Sequence, residues 1–243
     1  MMSWRWMLMA GTLMLLAFAI VLMPLAFAHG LAGSPLGRDA SAFGPVWNGR
    51  LYTASAGPAR FERVDVALRP VALLTGQAVF DWQVSDSGAR GAGVAYAGLA
   101  SAGLRETRLS GTFHALGLPL PGVGADDTLS LEIGELAFTG AGCVQAAGEV
   151  RTSALIGIAS RYEVDAPLLQ GPLSCEGGVL FADLSGTSAD MEIRVTVSVA
   201  PSGLYRWSAE AVLIDASLTP VFSAAGFTQD GPVWRHRGEG QLA

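Results

Sequence analysis

Polar and apolar residues alternate with a period of two along much of the chain. Met191 to Val199 is the clearest case. Every odd position there is apolar, every even one is polar, and β-branched residues dominate. The same alternation marks Val64–Val66–Leu68, Phe80–Trp82–Val84, Leu129–Leu131–Ile133 and Tyr205–Trp207–Ala209–Ala211. Turn-forming strings separate these segments: Asp86-Ser87-Gly88, Pro121-Gly122, Glu176-Gly177-Gly178 and Pro201-Ser202-Gly203. Strands with one wet face, joined by short turns, predict an antiparallel meander of hairpins. The fold class expected is therefore all-β: a single long twisted or curved sheet. Helix signals are few. Pro70 at a helical start with Gly76 closing it predicts one or two turns. Leu213 to Phe222 is a second candidate, interrupted by Pro220.

The N-terminus departs from this pattern. Trp6 to Ala28 carries no charge and is almost continuously apolar over 23 residues, and about 20 suffice for a helix to cross a bilayer. With only Arg5 and the α-amino group before it, the rest of the chain is expected to cross. Residues 1–5 then form a short cytoplasmic stub, 6–28 a transmembrane signal anchor, 29–45 a glycine- and proline-rich linker, and 46–243 an exported β-rich domain. The competing reading is a signal peptide cleaved after Ala26-Phe27-Ala28. The run from Met7 to Met23 exceeds the usual signal-peptide core, and Trp4 and Trp6 suit an interfacial belt, so the anchor is preferred.

Composition narrows the chemistry. The chain of 243 residues is 51% hydrophobic and 15% charged, with net charge −6. These values exclude a disordered chain and a basic nucleic-acid binder. All fifteen cations are arginine, so lysine chemistry is excluded. His29, His114 and His236 have no second ligand at metal-binding spacing. His114, beside Phe113, reads as a sheet residue. Gly-x-Ser-x-Gly does not occur, and Ser110, Ser174 and Ser185 sit in ordinary glycine- or cysteine-flanked contexts. Asp126-Asp127 reads as a solvated turn, and Asp183, Asp190 and Glu192 fit no calcium loop. No catalytic, cofactor or metal residue is expected. Cys143 and Cys175 allow one intramolecular pairing, and export favours a disulfide over two buried thiols. Trp47 and Arg50 are candidate partner contacts, with a core anchor as the alternative for Trp47. Met191–Val199 or the stretch around Gly231–Gln241 is expected to offer a free sheet edge.

Several strings carry a resemblance. Gly44-Pro45-Val46-Trp47-Asn48-Gly49-Arg50-Leu51 follows the apolar span. Leu68-Arg69-Pro70 and Leu73-Leu74-Thr75-Gly76 come next. Cys143 with Ala146-Ala147-Gly148, then Gly171-Pro172-Leu173-Ser174-Cys175, lie near the middle. Pro201-Ser202-Gly203-Leu204-Tyr205 and Gly226-Phe227 lie near the end. In this order they resemble the type II secretion system protein N family. The resemblance implies an accessory, non-enzymatic inner-membrane protein, single-pass, with its bulk in the periplasm of a Gram-negative cell. Its partners would be the inner-membrane platform proteins of that system. A long sheet anchored in the membrane also resembles AsmA-like envelope proteins, which implies a second class of function: a lipid or hydrophobic-ligand carrier with a β-groove.

Overall fold

The computed structural model describes residues 22–31, 37, 39–56, 59–118, 124, 126–160 and 164–241, together with Met9, Gly11, Thr12, Met14 and Phe18. The span expected over 6–28 falls mostly outside the described residues, among which no helix is long and apolar enough to cross a membrane.

Every described strand belongs to one open antiparallel sheet of fourteen, in nearly perfect chain order. The strands are β1 (Ser41–Phe43), β2 (Gly49–Ala56), β3 (Ala59–Leu68), β4 (Gln77–Ser85), β5 (Ala89–Gly98), β6 (Ala102–Thr112) and β7 (Thr128–Thr139). They continue as β8 (Gly142–Thr152), β9 (Leu169–Glu176), β10 (Val179–Thr187), β11 (Met191–Val199), β12 (Leu204–Leu213), β13 (Thr228–Asp230) and β14 (Val233–Gln241). Only the last pair breaks the sequence: β14 lies between β12 and β13. The sheet thus begins at Ser41, inside the stretch read as linker.

Because the side-chain period is two, the aligned ladders sort the chain into two faces. One face is mainly charged, with a small buried apolar cluster of Val79, Val94, Tyr96 and Ala137 set into it beside Arg105. Arg50 pairs with Asp65 at 2.9 Å, Arg69 with Asp81 at 2.6 Å, Arg108 with Glu132 at 2.8 Å and Arg235 with Glu210 at 3.0 Å. Hydrogen bonds from Arg63, and then from Arg50, hold the Asp65 carboxyl below its ordinary pKa; Arg69 does the same for Asp81. These pairs are exposed and individually add little, about 0–1 kcal/mol. Their consequence is register, since opposite charges face each other across neighbouring strands.

The other face is apolar, and it is covered mainly at one end of the strands. There Leu116 and Leu25 pack on Leu51, Val64, Val66 and Val84. Further along, Leu218 and Phe222 pack on Val150, Leu184, Ile193, Ala211 and Trp234. In the last strands burial falls off from this covered end, whereas Leu136 and Cys143 belong to a second buried cluster toward the opposite end of β7 and β8. In β11, Met191 and Ile193 are buried, whereas Val195, Val197 and Val199 are half-buried. Neighbouring β12 repeats the gradient, from buried Ala211 and Ala209 to half-buried Trp207 and Tyr205.

Three local readings need correction. His114 lies in the turn after β6, not in a strand, because β6 ends at Thr112 and the chain folds back to place Leu116 on the core. Asp127 is buried rather than solvated, and its carboxylate accepts the Gly124 N–H at 2.6 Å. Pro220 opens the helix Thr219–Ala224 instead of interrupting one, since a first-turn N–H has no intrahelical partner to lose. The helix Pro70–Leu73 forms as expected, and Gly76 closes the segment at φ +75°. Trp82 stands on the apolar face with its indole Nε1 buried and, among the described residues, without a hydrogen-bond partner.

Candidate functional site

The strings that stood out in the sequence gather at the start of the sheet. Gly44 takes a left-handed conformation, φ +85°, which turns the chain out of β1. Val46, only 2% exposed, then enters the core. The segment before the sheet docks on this turn. The Leu25 N–H donates to the Gly44 carbonyl at 2.9 Å, and the Val46 N–H donates to the Met23 carbonyl at 3.0 Å. Leu25 opens the helix Leu25–Leu31 and is itself buried. A Cβ on Gly49 would stand 2.6 Å from Leu25 Cδ2 and 2.9 Å from the Phe43 and Pro45 carbonyls. Glycine at 49 therefore makes the seat for Leu25. The Leu68 N–H reaches the Val46 carbonyl at 3.1 Å, tying β3 to the same turn.

The two candidate contact residues part here. Trp47 is half-buried and packs against the core cluster that holds Leu25 and Val46. Arg50, three residues on, emerges on the charged face, its guanidinium paired with Asp65 and 54% exposed. They are not one patch: Trp47 belongs to the junction between the N-terminal segment and the sheet, and Arg50 to the charged surface.

Cys143 and Cys175 are bonded, with Cα atoms 5.6 Å apart. The regular β8–β9 ladder runs only from Gly148–Leu173 to Thr152–Leu169. The disulfide joins the two strands beyond that ladder, at the end remote from the helix Ala154–Ala159. The later strings are turn chemistry as well. Gly203 at φ +81° shapes the β11–β12 turn, and Gly226 at φ +87° precedes Phe227, which packs on Phe222 with ring centroids 4.8 Å apart.

Of the two strands expected to offer an edge, Met191–Val199 is internal, paired on both sides by β10 and β12. The terminal strand β14 is different, since β13 covers only Val233 to Arg235 of it. Sequence reasoning could not separate the two, because alternation is the same in an inner and an outer strand.

Two open grooves, of about 430 and 580 Å³, lie mainly on the charged side. Arg206, Ser198, Thr196 and Glu239 line the first; Glu149, Gln170, Glu192 and Arg194 line the second. Among the described residues, no three His, Cys, Asp or Glu side chains converge as a metal would require.

The architecture defines an open-sheet, all-β protein with one charged and one apolar face, closed at its start by an N-terminal segment. The family model described as type II secretion system (T2SS), protein N, matches residues 40–235, from the eve of β1 into β14. The chain belongs to that family and is a type II secretion system component. No curated protein and no solved structure matches it.

Proposed function

We propose that the chain is a non-enzymatic, inner-membrane-anchored scaffold of the type II secretion system, its sheet lying in the periplasm. It would act through its surface on the system's platform proteins. The observation that carries this reading is the family match across almost the whole sheet. The exposed Arg50 and the charged face around it are the first candidate contact surface. Loss of the chain is expected to reduce release of the system's substrates across the outer membrane while leaving their arrival in the periplasm unchanged. Unaltered release would overturn the scaffold role.

The docked N-terminal segment supports retention of the anchor. Cleavage after Ala28 would take Leu25 out of the core and leave Val46 and the Gly49 seat uncovered. Burying a leucine contributes about 1.5–3 kcal/mol, so retention stabilises the domain. The intact mass of membrane-extracted protein is expected to include residues 1–28. A mass lacking them would show that Ala26-Phe27-Ala28 is a cleavage site.

One observation favours a second reading, a carrier of lipid or another hydrophobic ligand. The apolar face is only half-buried at Leu180, Val195, Val197, Val199, Tyr205 and Trp207. An acyl chain laid across these strands would cover it.

A further inference from the structure

The far edge of the sheet is left open along most of its last long strand. β14 runs from Val233 to Gln241 and pairs with β12 over its full length. On its other side, β13 pairs with Val233, Trp234 and Arg235 only. From His236 to Gln241 no described strand covers it. Every second residue of an antiparallel strand turns its N–H and C=O to the same side, so this stretch presents unpaired backbone groups. The stretch contains no proline and its ladder with β12 runs without a bulge, so the charged Arg237 and Glu239 are the edge device it does carry. The opposite edge is guarded. Beyond β1, Thr53 of β2 donates its hydroxyl to the Asp39 carbonyl at 3.1 Å, and Gly37 lies beside Ser55.

We propose that His236–Gly240 is a homodimerisation edge, pairing antiparallel with the same segment of a second copy about a two-fold axis at Gly238. The segment is its own complement in this register. Arg237 of each copy stands opposite Glu239 of the other, and His236 stands opposite Gly240. Arg237 and Glu239 are both exposed on the charged face. Among the described residues, Arg237 has no ion pair, while Glu239 meets Arg206 at 3.4 Å. Each Glu239 would then lie between an arginine of its own chain and one of its partner. Opposite charges directly across strands stabilise the pairing, and a shift by two residues would place like charges opposite.

The apolar side fits the same axis. Trp207 lies across Gly238, its Nε1 2.7 Å from where a Cβ would stand, and Tyr205 lies across Gly240. The glycines let these rings from β12 lie over the outer strand. In the dimer the two Trp207 rings approach the seam from both sides and cover it. The added strand ends at Gly240 because β13 already occupies Arg235. A ladder this short makes a small interface, so the dimer is expected to be concentration-dependent. The proposal rests on the edge geometry and stands apart from the secretion role.

Two differently tagged forms of the full chain, Arg237→Cys and Glu239→Cys, test it when oxidised together in membranes. Directly opposed residues have Cα atoms about 5.5 Å apart, within disulfide reach. Identical positions are diagonal neighbours about 7–8 Å apart, out of reach. A 237–239 disulfide between the two tagged forms is expected, with little from either form alone. Peptide mapping identifies the bond, and an intact Cys143–Cys175 link confirms folding. No mixed disulfide, or equal cross-linking of each form with itself, overturns the register. In the otherwise native chain, Arg237→Glu is expected to weaken self-association at least tenfold by sedimentation; unchanged association, or a wild-type chain that stays monomeric, also overturns it.

Discussion

Replacing both Cys143 and Cys175 by alanine is expected to destabilise the sheet by about 3–4 kcal/mol, as loop-closure entropy gives for this separation. The bond closes 32 residues. Its position makes it effective. β8 and β9 are joined by a long connection, residues 153–168, that carries the helix Ala154–Ala159. Their regular ladder stops at Gly148 and Leu173. Without the bond, the remote ends are held in line by the isolated Cys143–Gly178 bridge, the flanking strands and the packing of Leu173 and Leu180 against Ile133 and Leu136. The thermal midpoint in oxidising buffer should fall by several degrees, and reductant should lower the wild type to the level of the variant. Equal midpoints for wild type and variant would show that the two strands need no covalent link.

Trp234→Ala is expected to cost about 3–5 kcal/mol, the range for truncating a large aromatic in a core. Trp234 is 5% exposed and meets Phe222 at a centroid distance of 6.1 Å. Phe222 in turn holds Phe227, so the aromatic group fixes the helix Thr219–Ala224 on the last strands. The loss should concentrate there, and amides of β12 and β14 should exchange with solvent faster than those of β3 and β4. Val212→Ala, one strand away but 40% exposed, is the matched control and should change stability little. Denaturant titration of both variants decides. A loss below about 1 kcal/mol for Trp234→Ala would mean that the covering helix adds little to the sheet.

The strands with strict alternation were legible because each has one buried and one wet face. β11 is the plain example, and its odd positions do face the core. β5 was not legible: Ala89–Gly98 holds three small positions in succession, Gly91-Ala92-Gly93, with only Val94 and Tyr96 to mark a face. Its pairing with β6 shifts between Ala92 and Val94, where β6 carries an extra residue between Arg105 and Arg108, so β6 changes its alternation there and no simple period reports it. β8 is blurred similarly, since its pairing with β7 slips twice. Asp127 looked like a turn carboxylate because burial of a polar group is decided by what folds over it. The strings at the start of the sheet were visible, but their meaning was not. Gly49 is a seat for Leu25, twenty-four residues earlier, and Trp47 closes the same junction. Such contacts join segments that no local pattern connects. The free edge of β14 depends on β13 being three residues long, and its exposed Thr228–Gln229–Asp230 carries no alternation at all.

The central claim is that the chain works by contact with other secretion components. Photo-cross-linking in cells from position 52, an exposed aromatic two residues along β2 from Arg50 and on the same face, tests it most directly, with the cross-linked species and any bound lipid identified by mass spectrometry. The account predicts cross-links to type II secretion proteins of the inner membrane, lost in Arg50→Glu cells along with part of the secretion, and no stoichiometric lipid on the purified chain. Cross-links and secretion both unchanged by Arg50→Glu, with phospholipid acyl chains retained along Val195, Val197 and Trp207, would contradict it and make the protein a carrier.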